Sequence, residues 1–146
     1  MKNIADKTPK TVKGLTPFHA AARGGHFEVW FIEVLEGRTP KDNNGCTPLH
    51  YAAHSGHLEV CELFVRYTTD KNPKGPHGRT VLHCAAKYGH LDICQLIVNN
   101  ISDKNSKDDY GTTPLSFADE EGHTSVVRLL KSFGNSVKSS KRKRHN

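Results

Sequence analysis

The string Thr16-Pro17-Phe18-His19 returns as Thr47-Pro48-Leu49-His50, Thr80-Val81-Leu82-His83 and Thr113-Pro114-Leu115-Ser116, at intervals of 31, 33 and 33 residues. A chain that repeats one short unit at a near-constant period builds a stack of like units, each touching only its neighbours. The surroundings repeat as well. A glycine stands two positions before each threonine (Gly14, Gly45, Gly78, Gly111), and a Gly-His pair follows each string (Gly25-His26, Gly56-His57, Gly89-His90, Gly122-His123).

Each part of the unit has a local physical reading. Threonine before proline is an N-cap followed by a ring at the first helical position, where its fixed φ and missing N–H cost nothing. The pairs Ala21-Ala22, Ala52-Ala53 and Ala85-Ala86 keep one face of this short helix small, so that neighbouring helices approach closely. The glycine of Gly-His stops the helix as the residue best able to take a left-handed C-cap. A second helix follows at once, with Leu58, Val60, Cys61, Leu63, Phe64 and Val65 in the second unit. The third has Leu91, Ile93, Cys94, Leu96, Ile97 and Val98. Loops rich in Asp, Lys, Asn, Pro and Gly, such as 70–78, join one unit to the next.

The pattern G-x-T-P-L-H-x-A-A-x-x-G-H-x-E-V-V over about residues 6 to 133 resembles the ankyrin repeat in residue type, order and period. The resemblance implies an all-α solenoid of helix-turn-helix units with projecting β-hairpin-type loops, the fingers. It divides the chain into a lead-in over 1–13, repeats at about 14–44, 45–77, 78–110 and 111–133, and a basic tail over 134–146 expected to be disordered. Asp6 to Lys10 match finger sequence, so a longer repeat array, of which this chain is a piece, is an open alternative. Ser116, Asp119 and Thr124 replace motif residues in the fourth repeat and suit a cap facing water. The first repeat is two residues short. Placing the gap between Val29 and Trp30 aligns Trp30, Phe31 and Ile32 with Leu63, Phe64 and Val65, whereas a gap in the finger would bury Glu33 and expose Phe31.

Composition narrows the classes that remain. The apolar share of 35% is low against the roughly 45 to 50%, glycine included, of a compact globule, a deficit that fits either disorder or an elongated, thin architecture. No run of about 18 apolar residues exists, and residues 1 to 13 lack an apolar targeting core. A soluble monomer of the cytoplasm, the nucleus or both is expected. The net charge of +6 is concentrated in the tail, where Lys138, Lys141, Arg142, Lys143 and Arg144 stand without an acid and leave +1 for the rest. A basic stripe on the fold, the mark of a nucleic-acid reader, is therefore not expected, and nucleic acid would meet only the tail, non-specifically. The run Lys141-Arg142-Lys143-Arg144 reads as a nuclear import address for an import receptor, with a phosphate-binding arm or a solubilising end as alternatives.

The histidines and cysteines fall into repeat columns. His50, His54 and His57 would share a helical face as metal ligands, but Gly56 interrupts that helix and no cysteine or carboxylate completes a tetrahedral set. The resemblance implies that His19, His50 and His83 tie their own threonine region to the next repeat. Cys61 and Cys94 occupy a core column, Cys84 lies beside a structural histidine, and Cys46, in a finger, is the thiol expected to react most readily. No nucleotide-binding, hydrolase or zincin motif is present. No catalytic residue, cofactor or metal is expected, and the function indicated is a non-enzymatic adaptor, scaffold or inhibitory subunit that binds another protein.

In proteins of this resemblance the partner lies against finger tips and first helices. The finger positions are Lys13 and Leu15, then Asn43, Asn44 and Cys46, then Pro76, His77 and Arg79, then Asp109, Tyr110 and Thr112. The helix positions are Arg23 and Gly24, His54 and Ser55, Lys87 and Tyr88, and Glu120 and Glu121. One column runs Arg23, His54, Lys87, Glu120, neutral to basic until the fourth repeat, which favours a partner with an acidic segment. Arg79, Tyr88 and Tyr110 are the expected anchors.

Overall fold

The repeat unit predicts short helices started by threonine and stopped by glycine, and the computed structural model shows them. It describes residues 13–26 and 39–142, with side chains described through Phe133 except that of Phe18. The lead-in before Lys13, the aligned stretch Trp30, Phe31 and Ile32, and the cations Lys143 and Arg144 lie outside the described residues.

Seven α-helices occur among the described residues: α1 (Pro17–Gly24), α2 (Pro48–Ser55), α3 (Leu58–Tyr67), α4 (Val81–Lys87), α5 (Leu91–Val98), α6 (Pro114–Glu120) and α7 (Thr124–Arg142). First helices α1, α2, α4 and α6 pack side by side in one layer, and α3, α5 and α7 form a second layer behind them. Each pair of helices turns at a glycine in the left-handed region. At Gly56, with φ 84° and ψ 25°, the Gly56 and His57 amides both donate to Ala52 O, at 2.9 and 3.0 Å. The core runs between the layers. Ala52, Ala53, Ala85 and Ala86 are fully buried, and Val60, Phe64, Ile93 and Ile97 of the second layer pack against them.

One sequence expectation changes here. Leu91, placed among the apolar core of its helix, is 41% exposed. It opens α5, and the same position in the next repeat is Thr124, a small exposed residue that offers little apolar surface to cover it. Helix α7 continues in backbone as far as Arg142. The fingers are hairpin-like turns, with one isolated antiparallel bridge, Lys74 to Thr80, among the described residues. The two-residue shortfall of repeat one falls between His26 and Asp42, since the turn at His26 and the finger at Asp42 keep the same hydrogen-bond register as later repeats. The choice between the two alignments lies outside the described residues.

The threonine and histidine of each motif interlock. Thr16, Thr47 and Thr80 donate their backbone N–H to Nδ1 of His19, His50 and His83, at 3.1, 2.9 and 3.0 Å. An Nδ1 that accepts leaves the proton on Nε2. That Nε2 donates to the next finger, from His19 to Cys46 O at 3.0 Å and from His83 to Thr112 O at 2.8 Å. His50 is the exception, since its Nε2 is buried without a hydrogen-bond partner. The carbonyls of Arg79 and Pro73 lie close enough to favour a charged ring without meeting hydrogen-bond geometry. The third finger explains the difference. Adjacent fingers are stitched by Asn43 N–H to Lys13 O and Asp109 N–H to His77 O, each 2.9 Å. The equivalent residue in the third finger is Pro76, which has no N–H to give.

Candidate functional site

First helices and fingers meet along one face, where the small alanines leave the next turn of each helix free to project. Two adjoining depressions lie there. One, of about 340 Å³, is lined by Arg23, Cys46, His50, Tyr51, His54, Ser55 and Cys84. The other, of about 150 Å³, shares Cys46, His50, His54 and Cys84 and continues over Pro76, Arg79, His83, Lys87, Tyr88 and Phe117. The groove thus brings together Arg23, Cys46, His54, Ser55, Pro76, Arg79, Lys87 and Tyr88 from the predicted set. Lys13, Leu15, Asn43, Asn44, His77, Tyr110, Thr112, Glu120 and Glu121 are not in its lining. Tyr110, 68% exposed, stands at the finger tips, its hydroxyl 3.3 Å from His77 Nδ1. Thr112 serves the finger itself, with its N–H on Asp108 and its carbonyl taken by His83 and the Asp108 amide.

Cations and aromatic rings alternate along the groove. Arg23 lies 5.3 Å from the Tyr51 ring centre, Arg79 5.0 Å from Phe117, and Lys87 5.7 Å from Tyr88 and 5.6 Å from Phe117. His54 packs edge-on against Tyr88 with centroids 4.3 Å apart. Burial, then the charges of His90, Arg23 and Lys87, lower the pKa of His54. Two carboxylates of the fingers, Asp42 and Asp108, are each held by local hydrogen bonds. Asp42 accepts from Tyr51 Oη at 2.5 Å and from the amides of Asn44 and Cys46, each 2.9 Å. Burial works against that charge, yet these bonds with His19 hold the carboxyl below its ordinary range. Asp108 is held down in the same way, burial being outweighed by the Thr112 amide, Arg79 and the Tyr110 amide. Among the described residues neither Arg23 nor Lys87 has a carboxylate partner.

The turn histidines fix the backbone beneath this row. His57, His90 and His123 reach back one repeat and donate from Nε2 to the carbonyls of Arg23, His54 and Lys87, at 2.7, 3.0 and 2.9 Å. Each cation-column residue is therefore pinned by the following repeat, a link that the sequence shows only as an unexplained histidine column. Sequence reasoning also missed Tyr51, Cys84 and Phe117. They stand three residues before the helix column, in the slot directly after His50, His83 and Ser116, and that spacing was the available signal.

Cys46 departs from the expectation of a reactive thiol. It is half-buried, and burial, with the charges of Asp42 and Cys84 adding to it, pushes the thiol up to about 12. Burial likewise raises Cys84 to about 11. Both are protonated at neutral pH and behave as small apolar surface. The ring nitrogens of His19, His57, His83, His90 and His123 face backbone groups, which accounts for these histidines as parts of the scaffold. Among the described residues no helix is long and apolar enough to cross a membrane.

No curated protein matches the chain. The family model described as ankyrin repeats (three copies) matches residues 1–75 and again 69–141, nearly the whole length. Ankyrin repeats are in general protein–protein interaction modules, and this chain belongs to the ankyrin-repeat family.

Proposed function

We propose that the chain is a non-enzymatic, monomeric adaptor, scaffold or inhibitory subunit that holds an acidic segment of a partner protein along the groove. The observation that carries this reading is the pair Arg23 and Lys87, two cations without carboxylate partners among the described residues, set on a backbone that the next repeat's histidines pin. Preorganised charge of this kind adds on-rate and selectivity more than raw affinity. Glu120 and Glu121 end the row with the opposite sign and give the groove a direction.

The test is capture from cell extract by the tagged chain and by its Arg23→Glu, Lys87→Glu variant. Binders lost on charge reversal, with folding unchanged, support the reading. Binders retained at equal yield overturn it. A partner that is nucleic acid, with affinity falling at about 0.7 to 0.9 log units per log salt for each phosphate contacted, would favour contact through the tail instead.

For that tail we propose a separate role as an import address, supported by the four adjacent cations Lys141 to Arg144. Replacing them with alanine is expected to shift a tagged chain from the nucleus to the cytoplasm. An unchanged distribution removes the proposal.

A further inference from the structure

The first helices carry Ala20, Tyr51, Cys84 and Phe117 in one repeat column. Tyr51 and Phe117 are large rings, and Cys84 between them is small, so the groove dips where the third repeat presents its thiol. Both depressions share Cys84 and Cys46. His50, 3% exposed, closes the side toward the fingers. The thiols are protonated at neutral pH and the His50 ring is held neutral by burial, so nothing on the floor carries charge. A cavity of the order of 150 Å³ accommodates a benzene-sized group.

The rim differs from the floor. Arg23 stands at the Tyr51 end and Lys87 at the Phe117 end, each over an aromatic face. Arg79 is committed to Asp108 and contributes its flat guanidinium as wall more than as a free charge. An uncharged hollow flanked by two cations without carboxylate partners among the described residues distinguishes a uniformly acidic stretch, which would leave the hollow wet, from an acidic stretch interrupted by one large apolar residue, which fills it.

We propose that the notch over Cys84, between Tyr51 and Phe117, takes one apolar side chain of leucine size or larger from the partner, with carboxylates on either side of it engaging Arg23 and Lys87. This rests on the reading that the partner lies in the groove, and it adds the feature that selects among acidic partners. Burying a leucine side chain in place of alanine in such a hollow is worth about tenfold in affinity or more.

The probes are three fluorescein-labelled peptides of about twelve residues: an Asp/Glu-rich one with a single central leucine, the same peptide with alanine at the centre, and a lysine-rich one with the central leucine. Fluorescence anisotropy is read on the full chain at low salt. The leucine acidic peptide is expected to bind about tenfold more tightly than the alanine one, and the lysine peptide weakly. Cys84→Leu, which fills the notch from within, is expected to bring the two acidic peptides within about twofold of each other. Equal binding of both acidic peptides to the natural chain overturns the notch and leaves the groove reading standing. Failure of both, with the lysine peptide binding as well or better, overturns the groove reading and the notch with it. A diazirine analogue of leucine in the central position gives a check on the natural chain that needs no variant. Cross-links to Tyr51, Cys84 or Phe117 support the proposal, and cross-links confined to other residues overturn it.

Discussion

Arg79 in the third finger donates from Nε to Oδ2 of Asp108 in the fourth, at 3.1 Å, and the Asp108 side chain is wholly buried. The same carboxylate accepts from the amides of Tyr110 and Thr112. Arg79 is therefore part of the joint between two fingers as well as of the groove lining. Removing the cation leaves a buried carboxylate with only its backbone donors. Arg79→Ala is expected to lower unfolding stability by about 1 to 3 kcal/mol, read from urea denaturation. An unchanged midpoint would show that the pair contributes nothing to the fold.

Burial separates two leucine-like positions of α5. Leu91→Ala is expected to cost under about 1 kcal/mol, because the side chain is 41% exposed, while Ile97→Ala, fully buried, is expected to cost about 2 to 5 kcal/mol. Denaturation of both variants under one condition settles the order. Equal losses would mean that Leu91 packs in the solenoid core after all.

The buried ring of His50 makes stability depend on pH. Burial lowers its pKa from 6.5 to about 4, although the nearby Arg79 and Pro73 carbonyls pull the other way. In the unfolded chain the ring takes up its proton near 6.5, so stability is complete above that pH, falls as pH drops toward 4 and levels off below. The loss is at most about 3 kcal/mol. His83, lowered by burial, adds in the same direction. Asp42 and Asp108, held below 3.8, add a further loss only below that value. The urea midpoint of the natural chain is expected to fall more between pH 7 and pH 4.5 than that of His50→Gln. Parallel profiles would exclude His50 as the source.

Gly89 and Gly122 stop equivalent helices with φ of 75° and 77°, so alanine meets the same left-handed strain at both. Their surroundings differ. A Cβ at Gly89 would lie 2.6 Å from Nδ1 of His123, the ring that holds the Lys87 carbonyl, whereas at Gly122 nothing lies within 4 Å. Gly89→Ala is expected to cost at least about 1 kcal/mol more than Gly122→Ala. Melting temperatures that fall equally would show that the neighbouring ring yields without loss.

The sequence by itself determined the architecture, because every device that builds it acts within a few residues. Threonine before proline starts a helix, glycine before histidine ends it, and the return of both at a near-constant period stacks the units whatever the rest of the chain does. The Thr–His interlock was legible through the family resemblance, and its two residues stand only three apart. What only the tertiary structure decided depends on residues about thirty apart meeting across a repeat boundary. The reach of His57 to the Arg23 carbonyl, the commitment of Arg79 to Asp108, the exposure of Leu91 above Thr124 and the notch that Tyr51 and Phe117 leave over Cys84 all depend on how one repeat is offset from the next. That offset is set by packing of the two layers together, and no local propensity encodes it.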